Sequence, residues 1–206
     1  GGNMSYLLLL DSSDVDLTIG ICQDGKIIYQ KSFYAWQRQS EYMIPEIDTA
    51  LKKVNISLKD IDSVALGIGP GSYTGIRIPL TIAKTLNVIN KTKIIPLSSL
   101  AIMGNTQEKY IALMNARSNR SYIGIYENGQ KVIDDTIIEN EKIFDFIAPY
   151  VEKGFILKGD LKYLIQEFDV KPNIIDGLHS YALVSETYED GKGIKPVYLK
   201  DQYASN

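Results

Sequence analysis

The residues that could do chemistry in this sequence are few, and each stands apart from the partners a reaction would need. The chain has one histidine, His179, and one cysteine, Cys22. A His-x-x-x-His or His-Glu-x-x-His metal pair therefore cannot be built, and Cys22 lies in an apolar run typical of a buried, inert thiol. Asp11 ends an apolar run, and Asp160 is a further carboxylate, but the sequence does not show that the two converge. We expect no catalytic residue, no metal and no cofactor.

The most distinctive local feature is a glycine loop, residues 67–77, which reads Gly-Ile-Gly-Pro-Gly-Ser-Tyr-Thr-Gly-Ile-Arg. It lies between an apolar run and a helical pattern, where backbone amides at the helix start favour an anion. No Lys follows the last glycine, as a Walker loop requires, and the spacing is not the dinucleotide fingerprint. A tight turn that lets the backbone pass close to a neighbour fits equally well. The candidate residues are Gly69, Gly71, Ser72, Thr74 and Gly75.

The composition is that of a globular protein without a nucleic-acid charge signature. Of 206 residues, 45% are hydrophobic and 23% charged, which argues against disorder. Lys and Arg number 22 against 25 Asp and Glu, a net charge of −3, so the basic excess of a free-standing nucleic-acid binder is missing. A single cysteine fits a reducing cytosol, and no apolar stretch reaches the roughly 18 residues of a membrane helix. We expect a cytoplasmic protein that meets RNA only through a partner.

A repeated pattern runs through the chain. Apolar runs followed by the Asp24-Gly25 turn predict two strands, a hairpin turn and a third strand, and the same pattern returns around Asn128-Gly129. The offset is 104 residues throughout, pairing Tyr6 with Tyr110, Asp11 with Asn115 and Gly25 with Gly129. We interpret this as a duplication, with two unrelated hairpins as the alternative.

Between the copies the apolar spacing becomes helical. It predicts a helix from about Ser40 to Asn55, a strand at Ile61–Ile68, and a second helix to about Asn90 with Pro79 early in it. After the second copy we expect helices at 141–150 and 161–168 and short strands at 155–157 and 173–175. The pattern predicts an α/β fold with mixed sheets and helices packed on them, in a duplicated actin-like, ribonuclease-H-like (ASKHA) architecture. The two halves are expected at residues 1–104 and 105–206.

The glycine loop is accompanied by further strings, and together they carry a family resemblance. These strings are Leu10-Asp11-Ser12-Ser13, Pro96-Leu97-Ser98-Ser99-Leu100, Asn115-Ala116-Arg117 and Pro196-Val197-Tyr198-Leu199-Lys200. Over nearly its whole length the chain resembles the TsaB (YeaZ) family of bacterial proteins, which are needed for the threonylcarbamoyladenosine modification of tRNA. Two departures stand out: Gln39-Ser40 where members commonly carry His-Ser or His-Thr, and Pro79 where glycine is frequent.

The resemblance implies a non-catalytic scaffold, a degenerate relative of the TsaD proteins. Such a subunit pairs with a TsaD homologue and, with the ATPase TsaE, supports N6-threonylcarbamoylation of adenosine 37 in ANN-decoding tRNAs. By resemblance, the pairing surface is the helical face of the first half. It maps onto Met43, Ile44, Ile47, Leu51, Arg77, Leu80 and Lys84. Packing of this stripe inside the chain is the other interpretation, and the same face could pair two copies as a homodimer.

Other functions stay open at this point. The duplicated fold and the glycine loop are compatible with a stand-alone nucleotide-binding ATPase or phosphotransferase of the actin-like class. A ribonuclease-H-like nuclease would use Asp11, and a peptidase lacks both a nucleophile and metal ligands.

Overall fold

Two β-sheets, one on each side of residue 104, form the framework of the chain. The computed structural model describes residues 4–199. The first sheet has five strands: β1 (Tyr6–Asp11), β2 (Asp16–Gln23), β3 (Lys26–Tyr34), β4 (Ile61–Gly67) and β5 (Lys93–Leu97). Their order is β3-β2-β1-β4-β5, with β1 antiparallel to β2 and parallel to β4. Helices α1 (Gln39–Lys53) and α2 (Tyr73–Asn90) link the later strands and cover one face.

The second sheet repeats the first three strands of the first sheet and adds one short parallel strand where the first sheet has two. Strands β6 (Lys109–Arg117), β7 (Arg120–Glu127) and β8 (Gln130–Glu139) form an antiparallel meander, and the short β9 (Ile156–Lys158) pairs in parallel with β6. Helix α3 (Ile143–Glu152) covers its outer face. The predicted α/β fold with mixed sheets and packed helices is confirmed.

The duplication is visible in the strands, but its register differs from the predicted one in the first strand. Strands β2 and β7 begin 104 residues apart, and both hairpin turns place their two central residues at positive φ. In the first sheet, however, Leu10 pairs with Ile19, whereas in the second Leu113 pairs with Ile123. The structural offset between β1 and β6 is therefore 103. A shift of one residue exchanges the two faces of a strand, so the counterpart of Asp11 is Met114, not Asn115.

Two predicted elements in the second half were wrong. Residues 161–168 form turns instead of a helix, and the expected strand at 173–175 is the start of helix α4 (Ile174–Ala182). The side chain of Asn173 accepts a hydrogen bond from the Asp176 amide at 3.1 Å, which is an N-cap. Asn173, three residues before Asp176, is the signal in the sequence that could have identified this helix start.

Helix α4 belongs to the second half in sequence and to the first sheet in space. It contacts β1, β2, β4 and β5, on the face opposite α1 and α2. The approach is close, since a Cβ on Gly20 would lie 2.8 Å from Cδ1 of Ile175, and one on Gly177 would lie 1.8 Å from the Ile102 carbonyl oxygen. The division of the chain into two halves at residue 104 remains a prediction. Helix α4 follows that residue in sequence but packs on the sheet of the first half.

Pro79 lies deeper in α2 than the sequence predicted. Helix α2 starts at Tyr73, so Pro79 is its seventh residue and cannot donate to the carbonyl of Gly75 four residues earlier. That carbonyl instead accepts the hydroxyl of Ser12, fully buried, at 2.5 Å. The hydroxyl from β1's end thus replaces the helical hydrogen bond that proline removes.

This replacement predicts a coupling between the two residues. Ser12→Ala leaves the Gly75 carbonyl buried without a donor and should lower the free energy of unfolding by about 1–3 kcal/mol. In a Pro79→Ala background the same change should cost clearly less, because the alanine has a backbone amide that can donate to that carbonyl. Urea denaturation of the four variants of this cycle gives the interaction energy. Equal costs in both backgrounds contradict the interpretation.

Candidate functional site: the glycine loop and the α1–α2 surface

The glycine loop is a close-packing element between β4 and α2. A Cβ on Gly75 would lie 1.9 Å from the carbonyl oxygen of Ser12, and one on Gly71 would lie 2.4 Å from that of Ser13. At Gly69, φ is +121°, a conformation that favours glycine, and an added Cβ would lie 2.4 Å from the Val197 carbonyl oxygen. Only glycine allows these approaches.

Several polar groups of the loop are already engaged within the chain. The Gly69 amide donates to the Ser99 hydroxyl at 2.9 Å, and the Ser72 amide donates to the Ser13 carbonyl at 2.8 Å. The Ser72 hydroxyl caps α2 by accepting the Gly75 amide at 3.1 Å. Another candidate, Thr74, is exposed and lines a surface pocket together with Gln39 and Ser40 at the start of α1. The geometry favours the tight-turn interpretation over an anion cradle.

Asp11 sits below the loop in a buried hydroxyl cluster. Its carboxylate accepts the Ser13 hydroxyl at 2.6 Å, and the Ser13 and Ser99 hydroxyls are 2.6 Å apart. Burial raises the pKa of Asp11 to about 6, against the opposing effect of the Ser13 hydrogen bonds. An added Cβ on Gly67 would lie 2.3 Å from the Asp11 carboxylate. Asp11 is 5% exposed and lines a small cavity together with Met114 and three other carboxylates, Asp14, Asp16 and Asp160.

The space between the two halves is narrow and contains a contact that the sequence did not suggest. The Arg117 guanidinium lies 4.6 Å from the Trp36 ring centroid, which joins the second half to the first. Two small cavities remain along this seam, of about 70 Å³ beside Asp14 and Arg117 and about 20 Å³ beside Asp11 and Asp160. Pockets that hold a drug-sized ligand are typically about 300–1,000 Å³. Each of these two cavities is smaller than such a pocket.

The structure corrects part of the predicted partner surface. Met43, Ile47, Leu51 and Leu80 are 0–6% exposed and pack into the core under α1 and α2. They face the sheet because apolar residues at helical spacing bury one stripe, so a partner cannot reach them in the folded chain. Ile44, Arg77 and Lys84 lie on accessible parts of the two helices, and Ile44 is 67% exposed.

An apolar groove of about 410 Å³ runs between the outer sides of α1 and α2. Its apolar floor comes from Ile44, Ile78 and Ile82, and its rim carries Tyr73 and Arg77. Tyr73, which is 64% exposed, and Arg77 interact through a 5.1 Å cation–π contact. Ile78 and Ile82 repeat every fourth residue on a second side of α2, a spacing that could have identified this groove in the sequence.

Chemistry-bearing residues elsewhere do not assemble into a site. Among residues 4–199, no group of three or more His, Cys, Asp or Glu side chains is placed to hold a metal ion. His179 Nε2 lies 2.7 Å from the Gly25 carbonyl oxygen, and burial raises the pKa of the Cys22 thiol to about 11. Within the same part of the chain, no helix is long and apolar enough to cross a membrane.

Comparison with known proteins places the sequence in a family. Residues 34–168 match the family model described as TsaD, tRNA N6-adenosine threonylcarbamoyltransferase. The tRNA threonylcarbamoyladenosine biosynthesis protein TsaB of Buchnera aphidicola (subsp. Schizaphis graminum) is 28% identical over 168 residues, 76% of this chain and 80% of that protein. TsaB of Bacillus subtilis is 26% identical over 71% of this chain and 66% of its own length. The chain belongs to this family, in its TsaB (YeaZ) branch.

A solved member of the branch has the same fold. YeaZ from Pseudomonas aeruginosa superposes with a TM-score of 0.77 at 20% identity, covering 95% of this chain and 100% of that one. The sequence resemblance to TsaB is confirmed by the family model and the two TsaB relatives, and Lys200, the last residue of its C-terminal string, lies outside the described residues.

The carboxyl of Asp14, at the seam, predicts a pH dependence of stability. Burial, then the neighbouring charges of Asp160 and Asp11, raise its pKa to about 7, against the opposing charge of Arg117. Between pH 4 and 7 the folded chain binds more protons than the unfolded one, so stability falls as pH rises through this window. Asp14→Asn removes this contribution and should stabilise the protein more at pH 8 than at pH 5.

Urea denaturation at both pH values measures the effect. Asp169→Asn is the matched control, because that carboxylate is 89% exposed in its pairing with Lys162. It should leave the pH dependence unchanged. An Asp14→Asn effect of equal size at both pH values contradicts the prediction.

Proposed function

We propose that this chain takes part in the biosynthesis of threonylcarbamoyladenosine in tRNA, as a non-catalytic subunit that binds a TsaD homologue. The observation that carries the proposal is the exposed apolar groove between α1 and α2, on a chain whose Asp11 carboxyl is buried. Family membership supplies the pathway. The domain division at residue 104 belongs to the same proposal, with the first half carrying the partner surface and the second half bracing it.

The absence of catalysis is inferred from what the Asp11 cluster contacts. The Asp11 carboxylate is buried and accepts the Ser13 hydroxyl. Asp11's structural counterpart is Met114, whose thioether is at best a weak hydrogen-bond acceptor. A chain with this centre contributes binding, and the reaction is carried by its partner.

The groove has the chemistry expected of a protein interface. Exposed large apolar side chains beside an aromatic ring and an arginine are the residue types that concentrate binding energy. Ile44, Tyr73 and Arg77 supply them here, and Lys84 lies further along α2. A related subunit with a similar pair of helices would bury both grooves together, and two copies of this chain could do so when the partner is missing.

The remaining parts of the proposed role follow from the complex. With the ATPase TsaE, the pair would support transfer of the threonylcarbamoyl group to N6 of adenosine 37 in ANN-decoding tRNAs. The net charge of −3 favours a subunit that leaves tRNA contact to its partner. We place this activity in the cytoplasm, in agreement with the single cysteine of the chain, the buried Cys22.

The alternative of a stand-alone nucleotide-binding enzyme fits the geometry less well. In this architecture a nucleotide would enter between the halves, where the cavities measure about 70 and 20 Å³. Titration calorimetry of the isolated chain with Mg-ATP separates the two functions. Micromolar binding would favour the enzyme.

Disruption of the groove tests the proposal directly. Ile44→Asp places a charge on the exposed apolar surface and should weaken binding of the same organism's TsaD homologue at least tenfold, the loss expected of a central interface residue. Isothermal titration of the purified proteins measures the change.

Phe144→Asp is the matched control. Phe144 is an exposed apolar residue, 52% exposed on α3 in the second half. The Phe144→Asp variant should bind the homologue like the unmodified chain. Both variants should have the same unfolding midpoint as the unmodified chain. If the unmodified chain fails to bind the homologue in the presence of nucleotide and TsaE, the proposed function is wrong.

A further inference from the structure

The chain returns to the first half after α4 and runs across it as a strap. We call residues 186–199 the C-terminal strap. Tyr188 forms an isolated antiparallel bridge with Ile94 of β5, through hydrogen bonds of 2.9 and 2.8 Å between their amides and carbonyls. The strap therefore begins by extending the edge of the first sheet.

Two further anchors hold the strap along α2 and the glycine loop. The Asn87 side-chain amide donates to the Glu189 carbonyl at 2.7 Å, and its oxygen accepts the Gly191 amide at 3.0 Å. Further along, the Val197 amide donates to the Ile68 carbonyl at 2.8 Å. These bonds use backbone or amide groups at fixed positions, so they set the path of the strap.

This path brings Tyr198 to the first turn of α2. Its ring stacks on that of Tyr73, with centroids 5.6 Å apart and planes 20° apart. The Arg77 guanidinium also contacts Tyr73, one helical turn further on. Tyr73 and Arg77 line the α1–α2 groove, so the strap contacts the groove through Tyr73.

We propose that Tyr198 is a positioning residue for the α1–α2 groove: the strap carries its ring to Tyr73 and so fixes the orientation of Tyr73 and Arg77. The proposal rests on the proposed function only for what the groove receives, a TsaD homologue. The positioning itself is a property of this chain alone.

The start of α2 needs such support. Tyr73 is its first residue, and first-turn amides have no intrahelical acceptors. The Ser72 hydroxyl caps this turn by accepting the Gly75 amide. The Tyr73 side chain is 64% exposed, and without the Tyr198 ring it would sample several rotamers. The Tyr198 ring makes the stacking contact with Tyr73, and the Tyr198 hydroxyl interacts with the Arg77 guanidinium and raises the pKa of that group.

Hydrogen–deuterium exchange on the isolated chain tests the positioning role. In Tyr198→Ala the amides of residues 76–78 should exchange roughly two- to tenfold faster, the factor that corresponds to loss of one aromatic pair. Tyr198→Phe keeps the stacked ring but loses the hydroxyl beside Arg77, so its amides should exchange more slowly than those of Tyr198→Ala. Val184→Ala, at a side chain 70% exposed just before the strap, is the control and should change nothing. Unchanged exchange in Tyr198→Ala overturns the proposal.

Affinity for the TsaD homologue supplies the second readout. Tyr198→Ala should weaken binding by a similar factor, and Tyr198→Phe, which keeps the ring, should weaken it less. Faster exchange with unchanged affinity overturns the link between Tyr198 and the groove. If the unmodified chain does not bind the homologue at all, the proposed function fails, and the exchange result alone decides the positioning role.

Discussion

The contact between the glycine loop and the Ser12–Ser13 turn is the constraint on which the rest of the structure depends. Backbone carbonyls at the end of β1 approach α2 so closely that any side chain at Gly71 or Gly75 would overlap them. The same turn supplies the Ser12 hydroxyl that replaces the hydrogen bond lost at Pro79. This packing fixes the angle of α2 on the sheet, and with it the direction of the groove that α2 shares with α1.

The site is therefore defined by what the packing leaves over. In the glycine loop the backbone amides of Gly69 and Ser72 already donate hydrogen bonds within the chain. The nearby carboxyl of Asp11 is buried and accepts the Ser13 hydroxyl. The surface that a partner can reach lies on the outer sides of α1 and α2. There the helices carry apolar side chains that do not pack against the sheet. A glycine-rich motif between a strand and a helix can thus serve recognition indirectly, by aligning a helix.

The sequence predicted the architecture well because hydrophobic periodicity and turn residues are local signals. Helices α1 and α2 and both hairpins followed from such patterns, with helix limits within about two residues. The one-residue shift between β1 and β6 was hidden, since identities such as Tyr6 and Tyr110 align without a gap although their strands pair in different registers. Strand facing depends on partners distant in sequence, which no local pattern reports.

The same limit explains the candidate site. Periodicity identified the apolar stripe on α1, but it could not separate the buried Met43 and Ile47 from the exposed Ile44, because that depends on where the sheet lies. The contacts of Arg117 with Trp36 and of Tyr198 with Tyr73 join residues more than 80 positions apart. Their partners become neighbours only after both halves have folded.

Helix α4 and the strap also affect how the protein is made. The first sheet has one face covered by α1 and α2, whose residues are synthesised early, and the other covered by α4, whose residues emerge much later. Until residues 174–182 have left the ribosome, the apolar part of that second face that α4 covers lacks its partner, and exposed apolar surface of this kind is prone to aggregation. In the proposal made for Tyr198, the residues of the groove are thus made before the strap that orients two of them.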